Sequence, residues 1–254
     1  MENTKLIKKY DEKPDLIMQF LALFNQIDKH LDKILGLDIY LPYNEKLKRT
    51  INGNFSISWF IKIHQFQLRY FGEIRNQITH GIKLDGHTYV YPSPYAIKQL
   101  AKYADNIKKP PRCIDVFGGS VFTCKKNDKL ENIIQEMEKN NYSHVPVYDK
   151  NNKYIGSLTE SKILNWLSQN MGKKDMNNIK ISDLELDIKD EDKYVLFISK
   201  KTNIYEIDEL FTIKKQEKKK IGVVFITETG KKEEPLLGII TAGDTALVDT
   251  YVIH

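Results

Sequence analysis

Three polar residues, Arg75, Asn76 and His80, have the types and the spacing that metal-free RNA cleavage would need. Asn76 and His80 are four residues apart, so on a helix their side chains can meet on one face. The histidine could exchange a proton with a ribose 2′-hydroxyl or with the leaving oxygen. The arginine could stabilise the negative charge that develops on the phosphate. These residues are the first candidate catalytic group of the chain.

Each of these residues also has a purely structural interpretation. Arg75 could pair with Glu73 on the surface, where an ion pair contributes little to stability. His80 could bond one of the last carbonyl groups of its helix, and Asn76 could be a solvated amide. The residues alone leave both interpretations open.

A second group of residues, near the C-terminus, could bind a nucleotide. The run from Gly238 to Asp244 is predicted to end a strand and open a helix, with Thr241 and Asp244 three residues apart. At that spacing both side chains lie beside the free N–H groups of the first turn, where they could take the two hydroxyls of a ribose. The helix N-terminus would then face phosphate. Thr241 could instead be only a helix cap, and Asp244 only a complement to the helix dipole.

The same turn occurs in degenerate form from Gly156 to Lys162. It keeps a threonine, Thr159, but has Lys162 at the place of Asp244. Before each turn the sequence predicts an amphipathic helix and a short strand. The apolar positions of these two helices are Leu130, Ile133, Ile134 and Met137 in the first copy, and Ile204, Ile207, Leu210 and Phe211 in the second. Each copy is therefore predicted as strand, helix, strand, strand, helix, which indicates an internal duplication.

The segment 112–254 resembles a tandem pair of CBS domains, which are modules that bind adenosine nucleotides. The motif of that family is Gly, hydrophobic, any residue, Ser or Thr, two residues of any type, then Asp. Gly238, Thr241 and Asp244 match this motif fully. The first copy has Lys162 in place of the ribose-binding Asp, so the resemblance implies one competent site, in the second copy.

The resemblance also implies residues that contact phosphate. In the family, polar residues just before the middle strand of one copy reach phosphates bound beside the other copy. These positions are predicted to hold Ser143 and His144 in the first copy, and Lys219 and Lys220 in the second. The implied ligand is an adenine nucleotide, AMP, ADP or ATP, although the motif does not distinguish these from S-adenosylmethionine or a cyclic dinucleotide. No covalent cofactor is implied.

The segment 1–108 is predicted to be an all-helical bundle. Apolar residues at helical spacing predict one helix from Pro14 to Gly36, a long helix from about Ser56 to His80, and a last helix that begins at Ser93. The sequence Lys109-Pro110-Pro111 ends that last helix and marks the domain boundary, because proline lacks an N–H and restricts the residue before it.

The end of the long helix resembles the motif of the HEPN superfamily, which is Arg, four to six residues, then His, often with Asn directly after the Arg. Arg75, Asn76 and His80 match it, with four residues between Arg and His. Many members are metal-independent endoribonucleases whose active site forms across a homodimer interface. Others have lost catalysis and serve as interaction or nucleotide-binding domains, so the resemblance implies either activity or docking.

The composition excludes several other classes of protein. Among 254 residues there are two cysteines, without a metal-binding spacing or a disulfide framework. No stretch approaches the roughly 18 apolar residues of a membrane span, and the first residues lack the apolar core of a signal peptide, so a cytoplasmic location is expected. The formal charge of +5 hints only weakly at a nucleic-acid partner.

The expected architecture is thus multidomain, α and α/β, with a helical bundle over 1–108 followed by a CBS pair over 112–254. The first copy is expected over about 112–170, a linker over 171–192, and the second copy over 193–254. The first hypothesis is a homodimeric endoribonuclease gated by an adenine nucleotide. The alternative is a non-catalytic nucleotide sensor whose helical domain mediates dimerisation or docks a partner.

Overall fold

The computed structural model describes residues 13–84, 87–172, 178–184, 194–216, 221–244, 246–247 and 250. The chain divides into two compact units, Met1–Pro111 and Arg112–His254. The last helix of the first unit ends at Lys108, and Lys109 lies outside the helical range, with φ −143° and ψ 75°. Proline at the next position disfavours the helical conformation at Lys109, so the sequence itself ends the helix here.

The first unit is helical and carries one short hairpin. Its elements are α1 (Lys13–Leu35), α2 (Tyr43–Asn52), α3 (Ser58–Ile63), α4 (Gln65–His80), β1 (Lys83–Leu84), β2 (His87–Thr88) and α5 (Pro94–Lys108). The core includes Phe20, Ile27 and Leu31 of α1, all fully buried. Their spacing places them on one helix face, as predicted for the first helix. Ser93 caps α5, since its hydroxyl accepts a hydrogen bond from the N–H of Ala96.

The prediction of a single helix from about Ser56 to His80 is wrong, because His64 separates α3 from α4. The His64 backbone has φ −103° and ψ 13°, outside the helical range. Its ring packs against Phe60 and Tyr103, at centroid distances of 4.5 and 4.9 Å. The interruption between α3 and α4 therefore coincides with tertiary packing of the His64 ring. The spacing of apolar residues along the sequence does not reveal such packing. The hairpin of β1 and β2 was also absent from the all-helical expectation.

The second unit contains two similar α/β repeats. The first comprises α6 (Cys113–Phe117), β3 (Cys124–Lys125), α7 (Leu130–Asn140), β4 (His144–Tyr148), β5 (Tyr154–Thr159) and α8 (Glu160–Asn170). The second comprises β6 (Val195–Ser199), α9 (Ile204–Gln216), β7 (Val223–Thr227) and β8 (Gly238–Thr241), followed by a 3₁₀ turn, Ala242–Asp244. In each three-stranded sheet the first strand is parallel to the second, and the second is antiparallel to the third. The duplication is confirmed.

The two sheets of the second unit meet through aromatic side chains. The Tyr154 ring lies 5.3 Å from that of Phe197 and 5.7 Å from that of Phe225, centroid to centroid, in edge-to-face geometry. Tyr154 is 7% exposed. Rings in this arrangement add to the free energy of apolar burial, so the two copies share one stabilising cluster.

Part of the span expected to be a linker packs into the core of the first copy. Ile181 and Leu184, in a 3₁₀ turn, are 1% and 8% exposed. The indole N–H of Trp166 donates to the carbonyl of Asp183 at 2.9 Å. The other described residues of 171–192 are 171–172 and 178–180. The turn at 181–184 is therefore a structural part of the first copy.

Candidate functional sites

The first candidate site lies at the end of α4, where Arg75 joins the other two residues of the motif. Its Nη1 donates to Oδ1 of Asn76 at 3.0 Å and lies 3.4 Å from Nε2 of His80. Asn76 and His80 are exposed, and Arg75 is partly buried. One guanidinium nitrogen therefore connects the amide and the imidazole on the surface of the first unit.

A hydrogen bond donated by Arg75 to His80 would require one tautomer of the imidazole. A guanidinium has N–H donors and no acceptor. Nε2 of His80 can therefore receive the Arg75 N–H only in the neutral tautomer that carries its proton on Nδ1. A phosphate bound by Arg75 would compete for the same N–H and would release the Nε2 lone pair to accept a proton.

The end of α4 at His80 depends on Gly81. The backbone of Gly81 is extended, with φ −66° and ψ 170°, so no left-handed conformation explains the glycine. A Cβ at this position would overlap the carbonyl oxygen of Gln77, to which the Gly81 N–H donates at 3.0 Å. Glycine thus lets the chain turn away tightly and leaves His80 as the last residue of the helix.

The second candidate site is the turn between β8 and the 3₁₀ helix. Oδ2 of Asp244 accepts hydrogen bonds from the N–H of Thr241 at 2.7 Å and from its hydroxyl at 2.9 Å. Both side chains are partly exposed. The hydroxyl and the carboxylate therefore lie side by side on the turn. The hydroxyls of a ligand could replace the hydrogen bond between these two side chains.

The backbone that follows α6 borders this turn. Gly118 forms an antiparallel bridge with Gly238, and the N–H of Gly119 donates to the carbonyl of Leu237 at 2.9 Å. A Cβ at Gly238 would overlap the carbonyl oxygen of Phe117. Gly238 of the motif therefore has a packing role, and residues 117–119 belong to the surroundings of the site. The Gly118-Gly119 pair was the available signal for them, since such a pair permits close backbone approach.

The turn of the first copy has different chemistry. The hydroxyl of Thr159 accepts from the N–H of Lys162 at 3.2 Å, which is an ordinary helix cap. The ammonium of Lys162 donates to the carbonyl of Ser157 at 2.9 Å. A cation therefore occupies the place of the carboxylate, and an ammonium cannot accept a hydrogen bond from a ribose hydroxyl.

Ser143 and His144 lie beside the first turn, since His144 pairs with Thr159 in the sheet. The Ser143 hydroxyl is 3.0 Å from Nδ1 of His144. On the other side, Nε2 faces Gly222 of the second copy, where a Cβ would come within 3.2 Å of it. Burial lowers the pKa of His144 below its usual value, and Lys162 lowers it further, against an opposing effect of Glu160.

The two lysines expected to correspond to Ser143 and His144 are not among the described residues. Lys219 and Lys220 lie in the span 217–220. The register of β7 with β8 pairs Val223 with Thr241. By this register the counterparts of Ser143 and His144 are Gly222 and Val223.

No metal centre is found among the described residues, because no group of three or more His, Cys, Asp or Glu could hold an ion. Cys113 and Cys124 are buried, and burial raises the pKa of each thiol to about 12. Neither thiol is thus a ready nucleophile near neutral pH. Within the same residues, every helix is too short or too polar to cross a bilayer.

Several solved structures resemble this chain. AcuB from Vibrio cholerae is 18% identical, with a TM-score of 0.42 over 56% of this chain and 92% of AcuB. The CBS domain pair of protein MJ0100, in complex with 5′-methylthioadenosine and S-adenosyl-L-methionine, is 17% identical, with a TM-score of 0.40 over 56% of this chain and 97% of that pair. CBSX2 in complex with AMP is 15% identical, with a TM-score of 0.40 over 57% and 99% of the two chains.

Sequence comparison identifies the first repeat. Homoserine O-acetyltransferase from Methanosphaera stadtmanae is 43% identical over 51 residues, which are 20% of this chain and 10% of the acetyltransferase. The chain thus spans about a tenth of the length of this curated relative. A family model described as CBS domain matches residues 115–169. The chain therefore contains a CBS domain, and its second unit, with two sheets of the same strand order, has the fold of a CBS pair.

Proposed function

We propose that the second unit senses adenine nucleotides through one competent site, formed by Gly238, Thr241 and Asp244. The observation that carries this proposal is the pairing of the Thr241 hydroxyl with the Asp244 carboxylate, at 2.9 Å, on the strand-to-helix turn of a CBS-pair fold. A ribose offers two adjacent hydroxyls that can donate to the carboxylate and accept from the threonine. Phosphate would then lie toward the backbone N–H groups of the turn.

The first copy would contribute in another way. Lys162 and Thr159 offer an ammonium and a hydroxyl, and Ser143 and His144 lie beside them. These groups suit a phosphate better than a ribose. In this proposal Lys219 and Lys220 add positive charge from the second copy. The nucleotide is AMP, ADP or ATP.

Calorimetric titration of the full chain with AMP, ADP, ATP and S-adenosylmethionine tests this site. Asp244→Asn keeps an oxygen for the Thr241 N–H but loses the charge, so affinity for the preferred ligand should fall roughly ten- to a hundredfold. Glu233→Gln, an equal charge change at an exposed position before β8, is the matched control. Absence of binding to all four ligands, or unchanged affinity in Asp244→Asn, would refute the proposal.

A second function is favoured by the contact between Arg75 and His80 in the first unit. With Asn76 they form a surface group in which a guanidinium nitrogen and an imidazole nitrogen lie 3.4 Å apart. Arg75 could hold the scissile phosphate while His80 takes the proton of the 2′-hydroxyl. The 2′-oxygen would then attack the phosphorus and form a 2′,3′-cyclic phosphate, and the bond to the 5′-oxygen would break as that oxygen takes a proton from water. This reaction is metal-independent RNA cleavage. The resemblance to HEPN proteins adds that two copies would meet at this site in a homodimer.

The nucleotide would then gate cleavage, which requires that it binds one arrangement of the chain better than another. Cleavage of a labelled structured RNA in EDTA tests the activity, with and without AMP or ATP. His80→Ala should abolish cleavage, whereas Gln67→Ala, an exposed change on the same helix, should not. If wild type and His80→Ala give the same result, the function is the alternative one, a non-catalytic sensor whose helical unit dimerises or docks a partner.

A further inference from the structure

A small polar cleft lies directly beside the Arg75 group in the first unit. Its volume is about 140 Å³, and its lining includes Asp28, Tyr40, Tyr43, Asn44, Arg75 and Asn76. Drug-sized ligands fill sites of about 300 to 1,000 Å³, so this cleft suits a single ring system. Two of its lining residues, Arg75 and Asn76, belong to the proposed catalytic group, and Arg75 is the one proposed to hold the phosphate.

The acidic wall of the cleft is held in place by a buried lysine. Nζ of Lys46 lies 2.8 Å from Oδ1 of Asp28 and 2.7 Å from Oδ1 of Asp32, and the Lys46 side chain is 3% exposed. Two carboxylates share one ammonium, so the cluster keeps a net negative charge. Asp28 is partly exposed, and its carboxylate can only accept hydrogen bonds from a ligand.

Tyr43 provides an unused hydrogen-bonding group in the same wall. Its ring packs at 4.6 Å from that of Phe24, centroid to centroid, and a Cβ on Gly72 would come within 3.0 Å of it. Its hydroxyl is buried and has no hydrogen-bond partner among the described residues. Phenylalanine would fill the same space without that cost, so the hydroxyl indicates a ligand that supplies the missing bond.

The mouth of the cleft carries an exposed aromatic ring. Tyr40 is 87% exposed although it lines the cleft. Single-stranded RNA is recognised largely by stacking of splayed bases on such rings and by hydrogen bonds to base edges. The cleft thus combines a stacking ring with acceptors and amides that could read a base edge.

We propose that this cleft binds one nucleobase that carries an exocyclic amino group, the base adjacent to the phosphate held by Arg75. The amino group would donate to Asp28, and Tyr43 and Asn44 would bond the remaining edge. Uracil carries a carbonyl oxygen in place of that amino group, and an oxygen acceptor cannot donate to the Asp28 carboxylate. The inference rests on the proposed RNA cleavage, since Arg75 places the phosphate.

Matched RNAs test the chemistry of the base. The probes are fluorescent single-stranded oligonucleotides that differ at one nucleotide. One pair compares cytidine with uridine, and the other compares adenosine with purine riboside. The second member of each pair lacks the exocyclic amino group. Cleavage in EDTA is measured, and binding is measured on the same sequences with 2′-deoxyribose at the cut position. The expected result is a preference of roughly three- to tenfold for each amino-bearing base, in cleavage and in binding.

Tyr43→Phe and Asn44→Ala should each reduce this preference. Tyr43→Phe removes a hydroxyl that has no partner in the described structure, so it should leave thermal stability unchanged or raised, which separates recognition from folding. Lys48→Gln is the control variant, since Lys48 is an exposed residue of α2 outside the cleft lining, and it should keep the base preference.

The outcomes separate the two ideas. Cleavage without base preference, or a preference that both cleft variants retain, would overturn the nucleobase site and leave the nuclease standing. Absence of cleavage with a binding preference that Tyr43→Phe weakens would overturn the nuclease and support the site. Absence of both cleavage and binding would overturn both.

Discussion

The ammonium of Lys162 donates to the carbonyl oxygen of Ser157 at 2.9 Å. In the second copy the equivalent position holds Asp244, whose carboxylate instead accepts from Thr241. At this position the two turns carry charges of opposite sign. This difference makes the pair chemically asymmetric, and it can be reversed by one substitution.

We expect Lys162→Asp to give the first copy a ribose-binding turn. A carboxylate there could accept from ribose hydroxyls beside Thr159, so calorimetry should detect two nucleotides per chain instead of one. The lost bond to Ser157 should lower stability by about 0.5–1.5 kcal/mol. Lys162→Met removes the ammonium without adding an acceptor and should keep one site. Equal stoichiometry in both variants would disprove this account of the asymmetry.

The contact of Arg75 with both Asn76 and His80 should require a guanidinium. Lysine offers a compact point charge and not a planar fork, so Arg75→Lys should lower RNA cleavage about ten- to a hundredfold although the charge is kept. Arg69→Lys, on the exposed face of the same helix, is the control and should keep wild-type cleavage. Initial rates in EDTA provide the measurement; full activity in Arg75→Lys would show that charge alone suffices.

Local patterns predicted the parts of the fold that depend on neighbouring residues. Helical spacing of apolar side chains located α1, and Ser93 before Pro94 located the start of α5. The repeated turn predicted the duplicated sheets because both copies carry the same local signal. Spacing likewise placed Asn76 and His80 on one helix, where Arg75 joins them.

The parts that depend on distant residues could not be predicted in this way. His64 ends α3 while its ring packs on Tyr103, which belongs to α5. The segment at Ile181 fills the core of the first copy, and nothing in its local composition indicates burial. The cleft beside Arg75 depends on Asp28 and Lys46 from two other helices, whose ion pair has no local sequence signature.

Stability should depend on pH through His144. Burial lowers its pKa in the folded state, so at pH values between the folded pKa and about 6.5 the unfolded chain binds more protons. The stability from the neutral imidazole is therefore complete above about pH 6.5 and is lost as pH falls through the folded value. Lys162 opposes protonation and Glu160 favours it.

Urea unfolding at pH 7.5 and pH 5 measures this dependence. Wild type should lose more free energy of unfolding on acidification than His144→Gln, which cannot titrate. The pKa of His30 is also lowered, by burial and by Lys33 and Lys108. Since His30 is present in both proteins, the difference between them reports on His144 alone. Equal losses in the two proteins would contradict the assignment to His144.

Gly238 should be intolerant of any side chain, whether or not a ligand binds. A Cβ there would overlap the carbonyl oxygen of Phe117, which is backbone and cannot rotate away, so Gly238→Ala should destabilise the second unit by about 1–3 kcal/mol. A Cβ on Gly243, in the same turn, would meet nothing closer than Oγ1 of Thr241, at 3.7 Å. Gly243→Ala should therefore change stability by less than about 0.5 kcal/mol. Thermal unfolding without nucleotide measures both variants. Equal melting temperatures would mean that Gly238 serves the ligand and not the packing of residues 117–119.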